Sequence, residues 1–524
     1  MVGGELYLPS KDREEIYGRE EVLSAFPDAF ARVAVVDEVQ LRDRYGIIVL
    51  DRFATAAGEL EAWERRGTVV AIDEGGPARE SIPYLIDVLP GPRSCGPNLS
   101  TLSLLDLPSA VDRPRVPVRR VLISFGGEDP AGLGRKCAGA LLDAARALGV
   151  SLEVDVIEGA LGKAKGERSF HALARVLPPV PRLADELGSY DLVVTHYGLT
   201  AFEAAASGTL VALACPTALH ELLSREAGFP VVTGYARNSQ RSLRKGFERL
   251  LSSPSRLRAP SAAISPSEEK TALETFEALT TASSGVCPSC GAIKRKSIAR
   301  YGRKSYFRCA HCGMVYEIRF GTRPDYGPSY FFEQYQAQYG TTYLEDLPAI
   351  RALAEPRLDA VDAIRGGAKG RALDIGCAYG AFLDAAAARS WDAMGIDVSG
   401  EAVAYCREER GHRAEAMEFP SSLAGMGAFD LVTMWYVIEH FEDLRAALRE
   451  VRDALAPGGI FAFSTPSGSG VSARKDPEAF FEASPDDHFT VWETSRVSSI
   501  LRRHGFELLR IRVTGHHPER FPFA

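Results

Sequence analysis

The stretch ALDIGCAYGAF, Ala372–Phe382, constrains this chain more than any other. It begins as a short apolar strand, breaks at Gly376 and Gly380, and runs into alanines at 385–388 that favour helix. A strand feeding a helix through a glycine turn is a building unit of parallel α/β sheets. Gly376 and Gly380 lack a β-carbon, so the backbone can pass close to a ligand. The free N–H groups at the helix start can then take a carboxylate. A second strand, Met394–Ile396, ends at Asp397. An acidic residue about 20 positions beyond such a turn can bind both hydroxyls of a ribose. A nicotinamide dinucleotide uses the same physics, so these two features leave the cofactor open.

Three further segments follow at suitable spacing: EAMEFP (Glu415–Pro420), FDLVTMWYVIEHF (Phe429–Phe441) and LAPGGIFAFSTP (Leu455–Pro466). With the glycine turn they resemble the motifs of class I S-adenosylmethionine-dependent methyltransferases. The resemblance implies a doubly wound sheet in which Asp374, Gly376 and Gly380 hold the methionine part of the cofactor. It places Asp397 on the ribose and Glu415, Ala416 and Met417 around the adenine. Methyl transfer from a sulfonium is an in-line displacement, so the protein aligns the acceptor and supplies a base if the acceptor carries a proton. Such groups belong at the carboxyl ends of the strands. Tyr436, Glu439 and His440 follow the fourth strand, and Thr465 follows the fifth. His488 lies in SPDDHFTVWE, a polar loop before a helix expected near Thr494–His504. His488, then His440, then Tyr436 are the candidate catalytic, acceptor-facing groups, while Cys377 reads as a small residue in the turn. A late strand is expected over Glu507–Val513.

Upstream, Cys287-Pro-Ser-Cys290-Gly and Cys309-Ala-His-Cys312-Gly form two C-x₂-C pairs with 18 residues between them. In a reducing compartment paired cysteines suggest metal rather than disulfide. Four thiolates on two tight knuckles suit one structural, tetrahedral zinc, with His311 a bystander. The intervening IKRKSIARYGRKSYFR has no acidic residue. Lys294, Arg295, Lys296, Arg300, Arg303, Lys304 and Arg308 could meet phosphates, or the ribbon could be solvated or docked on an acidic neighbour. A zinc ribbon, then Tyr330–Tyr335 (YFFEQY), then a methyltransferase resembles bacterial enzymes associated with sugar or polysaccharide modification. That implies a sugar, nucleotide-sugar or glycan acceptor by analogy. An RNA-modifying methyltransferase with a zinc finger is the rival reading, and the formal net charge of −8 weighs against it.

The first 250 residues also alternate short apolar runs, such as Val33–Val36, Gly46–Leu50 and Thr68–Ile72, with helical patterns. This predicts two parallel sheets with a break near Pro114–Pro117. VLISFGGEDP (Val121–Pro130) and DLVVTHYGLTAFEAAASG (Asp191–Gly208) place strand ends beside glycines. This pair resembles the carboxyl-terminal domain of GT-B-type glycosyltransferases, most closely the nucleotide-sugar hydrolase of the pseudaminic-acid pathway. The resemblance implies that Gly126, Gly127, Thr195, Tyr197, Gly198, Thr200 and Glu203 line a nucleotide-sugar site. It departs from that family in lacking an early Gly-rich turn with a catalytic histidine, since the first histidine is His171. It also has Leu219-His220-Glu221 where that family often has Asn-Gln. Binding without hydrolysis, glycosyl transfer with another base, or recruitment of a partner by this half all remain open.

The expected organisation is a Rossmann-like domain over 1–117, a GT-B-like domain over 118–260 and a linker over 261–285. A zinc ribbon with aromatic connector over 286–345 and a methyltransferase over 346–524 complete it. No apolar run approaches the roughly 20 residues of a membrane span, and Met1–Asp12 lacks a leader pattern. The expectation is a cytoplasmic enzyme.

Overall fold

The computed structural model describes residues 5–7, 34–36, 41–51, 54–91, 96–100, 107–112, 116–126, 129, 131–157, 174–180, 182–257, 279, 282–321, 335–336, 340–421, 423 and 425–512. The chain forms two compact units, residues 1–79 with 85–273, and residues 80–84 with 274–524.

In the first unit, β1 (Glu5–Tyr7) and β2 (Ala34–Val36) pair in parallel. Strands β3 (Ile47–Asp51), β4 (Thr68–Ile72), β5 (Tyr84–Asp87) and β6 (Leu99–Ser100) form a four-stranded sheet in chain order. Each connection adds its strand to the same edge, so these four strands carry no reversal of winding direction. The reversal does occur in the next sheet. It holds β7 (Arg120–Ser124), β8 (Glu153–Ile157), β9 (Ala174–Leu177), β10 (Leu192–Thr195) and β11 (Leu210–Leu213) in the order β11-β10-β7-β8-β9, all parallel.

Strand periodicity sends alternate residues of this sheet to opposite faces. Val121, Ile123, Val154, Val156, Leu192 and Val194 enter one core, covered by the helices Leu133–Leu148 and Gln240–Leu251. Leu122, Val193, Val211 and Leu213 enter the other, with Phe202 and Phe229. Burial on both faces explains why these strands read as continuous apolar runs.

The second unit opens with an antiparallel ribbon, β12 (Arg295–Tyr301), β13 (Lys304–Cys309) and β14 (Val315–Arg319). Its main sheet holds β15 (Arg371–Ile375), β16 (Asp392–Asp397), β17 (Arg413–Ala416), β18 (Phe429–Trp435) and β19 (Leu455–Ser464). The order β17-β16-β15-β18-β19, all parallel, is again the doubly wound one, with its reversal between β15 and β18. A last strand, β20 (Thr490–Val491), leaves this sheet and pairs antiparallel with β14.

Two sequence expectations are corrected here. The 345/346 boundary falls inside the first turn of the helix Tyr343–Arg365. That helix starts at a capping box in which Thr342 and Glu345 satisfy each other's backbone N–H groups. Residues 507–512 do not form the expected late strand. They alternate like one but pair with no described strand, and Leu509 and Ile511 stay exposed. Val513 lies outside the described residues.

Candidate functional site

The glycine turn follows β15 at the switch between β15 and β18, where ligands of open α/β sheets bind. Gly376 and Gly380 take positive φ of +75° and +82°, and Ala378 between them takes +44°. The Gly376 and Cys377 amides both donate to the Ile396 carbonyl, at 2.8 and 3.1 Å, which pins the turn onto β16. Asp397 sits at the end of β16. Its Oδ2 accepts from the Ala378 amide at 2.8 Å and its Oδ1 from the Ser399 amide at 2.9 Å. Each carboxylate oxygen keeps a second lone pair for a ligand hydroxyl. Burial raises the Asp397 carboxyl against the pull of those amides. Asp374 is buried under the turn and accepts from the Thr433 hydroxyl at 2.6 Å, and burial raises it to about 8.

These residues line one cavity of about 1730 Å³. Asp374, Gly376, Asp397 and Met417 face it; Gly380 shapes the turn behind them. Glu415 and Ala416 do not line the cavity. They are exposed on β17, and the wall is made by Met417, Glu418 and Phe419 just beyond that strand. Arg357, absent from the sequence reading, also lines it. Its guanidinium lies 4.3 Å from the Trp435 ring centroid and has no ion pair among the described residues. A stacked, desolvated guanidinium facing the turn can take a ligand carboxylate.

The other end of the cavity carries the candidate acceptor-facing groups. Tyr436 is held at φ +59°, an uncommon conformation for a non-glycine residue, and its amide donates to the Ser464 carbonyl at 3.0 Å. His440 Nδ1 lies 2.9 Å from Asp487 Oδ2, and the His440 and His488 rings meet edge to face at 4.8 Å. Burial works to lower His440, but the Asp487 carboxylate outweighs it and the net shift is upward. Burial and the neighbouring His440 push His488 down to about 3. The two imidazoles are thus driven apart, one toward the charged form and one toward the neutral form.

Glu439 stands beside them, 1% exposed, with neither carboxylate oxygen hydrogen-bonded among the described residues. Burial lifts it to about 7 against the opposing pull of His440. Glu439, His440 and His488 bring one oxygen and two nitrogens within 4.8 Å of one another, close enough to share a proton or a cation. Sequence reading placed Glu439 at the strand end and Asp487 in the polar loop. It gave no sign that the first is buried unpartnered or that the second orients His440.

In the ribbon, the Gly291 amide closes on the Cys287 carbonyl at 2.8 Å and the Gly313 amide on the Cys309 carbonyl at 3.0 Å. Both glycines have positive φ. Cys287 and Cys312 Sγ lie 3.6 Å apart, and Cys290 and Cys309 Sγ 3.5 Å apart. A tetrahedral zinc with bonds of about 2.3 Å separates its sulfurs by roughly 3.8 Å, so the donor set fits that ion. His311 turns to Arg503 instead. The basic strands are engaged rather than free. Arg295 bonds Ser81 and Gly285 carbonyls, Arg300 the Ile82 carbonyl, Lys304 pairs with Asp486, Arg308 with Glu493 and Lys296 with Glu80.

In the first unit, Gly126 (φ +75°) and Gly198 follow β7 and β10, the two strands that flank its reversal. Thr200 and Glu203 are half-buried on the helix Leu199–Ala206. Thr195 is buried within its strand. The Tyr197 ring packs on Phe202 and Phe229, and its hydroxyl donates to the Pro90 carbonyl at 2.6 Å. Those two side chains belong to the core rather than to a ligand surface. Gly127 and Tyr330–Gln334 lie outside the described residues.

Residues 343–511 match the family model of a methyltransferase domain. The ubiquinone biosynthesis O-methyltransferase of Aromatoleum aromaticum is 37% identical over 117 residues, 21% of this chain and 49% of that protein. Its counterpart in Methylococcus capsulatus is 32% identical over 126 residues, 23% of this chain and 53% of that one. The chain thus spans about half the length of the curated relatives it matches. A solved S-adenosylmethionine-dependent methyltransferase from Archaeoglobus fulgidus aligns with TM-score 0.26 and 20% identity, over 35% of this chain and 75% of that one. The chain carries a class I S-adenosylmethionine-dependent methyltransferase domain. Among the described residues no helix is long and apolar enough to cross a membrane.

Proposed function

We propose that this chain methylates a hydroxyl of a sugar-type acceptor, on a nucleotide-linked sugar or a glycan, using S-adenosylmethionine. The observation that carries this reading is the single cavity in which the glycine turn and Asp397 face the same space as Tyr436, Glu439, His440 and His488. When bound, the cofactor supplies an electrophilic methyl group on a sulfonium. Gly376 lets the backbone approach it, Asp397 accepts from its ribose, Arg357 faces its carboxylate and Met417 flanks its adenine. Asp374 supports the turn from beneath. Tyr436 and the His440–Asp487 pair orient the acceptor. Glu439 takes the acceptor proton with His488 beside it, because its carboxyl is poised near neutral pH.

The curated relatives are named as O-methyltransferases, which supports an oxygen acceptor. The sugar class rests on the resemblance of a cysteine ribbon joined to a methyltransferase, and on the front half. There Gly126 and Gly198 follow the strands at a sheet reversal, with Thr200 and Glu203 on the helix that begins beside Gly198, an arrangement suited to a nucleotide diphosphate; Gly127 is assigned to the same site by the resemblance. In this reading residues 118–260 bind the nucleotide-sugar. Thr195 and Tyr197 support that site from the core, and fusion raises the effective concentration of the intermediate. The engaged ribbon cations speak against RNA as the acceptor, since few remain to neutralise phosphates.

Calorimetry on the whole chain tests the cofactor. S-adenosylmethionine is expected to bind, and Asp397→Ala to weaken it by about 1.5–3 kcal/mol through lost charge-assisted bonds. No binding to the folded protein would end the reading. Transfer of labelled methyl to a panel of nucleotide-sugars, glycans and RNA then identifies the acceptor. Cys287, Cys290, Cys309 and Cys312 are assigned one structural zinc. Elemental analysis is expected to find about one equivalent, and Cys290→Ser to lose it. A metal-free protein with an intact ribbon would remove the zinc.

A further inference from the structure

We propose that the cysteine-held ribbon braces the loop that carries Asp487 and His488 into the methyltransferase site, with Lys304 and Glu317 as positioning residues for those two groups. The inference rests on the reading of the cavity as the transfer site and gives the ribbon a part in it beyond holding a metal.

The geometry is specific. β14 would be the edge strand of an isolated three-stranded ribbon, yet all five of its residues are buried. Its free side is taken by β20, with Val315 opposite Val491 and Tyr316 opposite Thr490. The Glu317 amide donates to the Phe489 carbonyl at 3.0 Å, extending the ladder to the residue after His488. At the other end of the same loop, the Lys304 ammonium donates to the Ser484 carbonyl and pairs with Asp486 at 3.2 Å. Arg308 clamps Glu493 with two bonds of 2.6 and 2.9 Å. The loop Ser484–Glu493, which carries Asp487 and His488, is thus tied to β13 and β14 along its length.

The ties are also electrostatic. Lys304 is 6% exposed and Glu317 1% exposed, and the Tyr306 hydroxyl donates to Glu317 Oε2 at 2.6 Å. A buried ammonium and carboxyl cost desolvation that apolar residues would not, so their use here fixes geometry and charge rather than adding stability. The charged groups facing His488 are His440, Asp487 and Lys304, and those facing His440 are Asp487, Glu439 and His488. Burial and then His440 drive His488 toward its neutral form and Lys304 adds a smaller push the same way, while Glu317 lies within electrostatic reach of Asp486 and Asp487.

The test uses the full chain with ¹³C-labelled histidine and no acceptor. In Lys304→Met, amide exchange over residues 484–491 is expected to rise roughly ten-fold or more. The His488 titration midpoint should move up, while zinc content, exchange over 372–382 and S-adenosylmethionine affinity stay as in the parent. Lys304→Arg, which keeps the charge, should restore the midpoint. If Lys304→Met does not fold, Glu317→Gln replaces it, with faster exchange over residues 484–491 as the expected signature. A folded, zinc-loaded variant whose loop exchange and histidine titrations match the parent overturns the proposal. Absence of S-adenosylmethionine binding in the parent instead overturns the transfer reading and leaves the loop measurement standing.

Discussion

Gly376→Ala is expected to abolish measurable S-adenosylmethionine binding while leaving the protein folded. Two costs fall together at this position. The backbone is held at φ +75°, where an L-residue loses roughly 1–2 kcal/mol. A Cβ would also stand 2.4 Å from Val437 Cγ2, closer than real Cβ atoms come, so Val437 must move. Val437 itself lines the cavity, between Tyr436 and Glu439. The displaced methyl groups therefore enter the space meant for the cofactor. Gly366→Ala is the control. It has φ +64° and nothing within 4 Å of the added atom, so it bears the backbone cost alone. Calorimetry and thermal melts on both variants separate the terms: the larger loss of Tm in Gly376→Ala, and binding lost only there. Equal affinity in the two variants would show that the cofactor does not lie against the turn.

The two parallel doubly wound sheets were legible in the sequence because both faces of each are covered, so their strands appear as short apolar runs ending at glycine or acid. The cysteine ribbon was legible for a different reason: its spacing and trailing glycines carry the geometry of two knuckles. What escaped was set by tertiary contacts. The pairing of β14 with β20 joins segments far apart in sequence, and Thr490–Val491 is too short to signal a strand. Arg357 sits on a long helix whose pattern does not mark it out, and its place in the cavity wall and stacking on Trp435 show that it faces the cavity. The family resemblance put Glu415, Ala416 and Met417 around the adenine, and of these Met417 lines the cavity, with Glu418 and Phe419 after it. Residues 507–512 have strand periodicity but pair with no described strand, and periodicity alone does not make a sheet.

Glu439→Gln is expected to lower the methyl-transfer rate by about 10²–10⁴-fold, the usual worth of a positioned general base. S-adenosylmethionine affinity should change little, because Glu439 faces the acceptor end of the cavity. The parent rate should rise with pH through about 7, where burial has moved this carboxyl, and the variant should lose that limb. A second readout needs no acceptor. The folded-state value of about 7 lies above the ordinary 4.5, so the folded protein holds this proton more tightly than the unfolded chain. The stabilising contribution is fully present below about 4.5 and is lost as pH rises through about 7. Above that, the ionised carboxylate sits buried with no hydrogen-bond partner among the described residues. Glutamine has no charge to bury. Relative to the parent, Glu439→Gln should therefore melt higher at pH 8, and the advantage should vanish near pH 4.5. A variant that is both more stable at alkaline pH and nearly inactive marks a carboxylate kept for chemistry at the expense of stability. If activity persists and the two melting curves run parallel across this pH range, Glu439 is not the base, and the proton must go to His488.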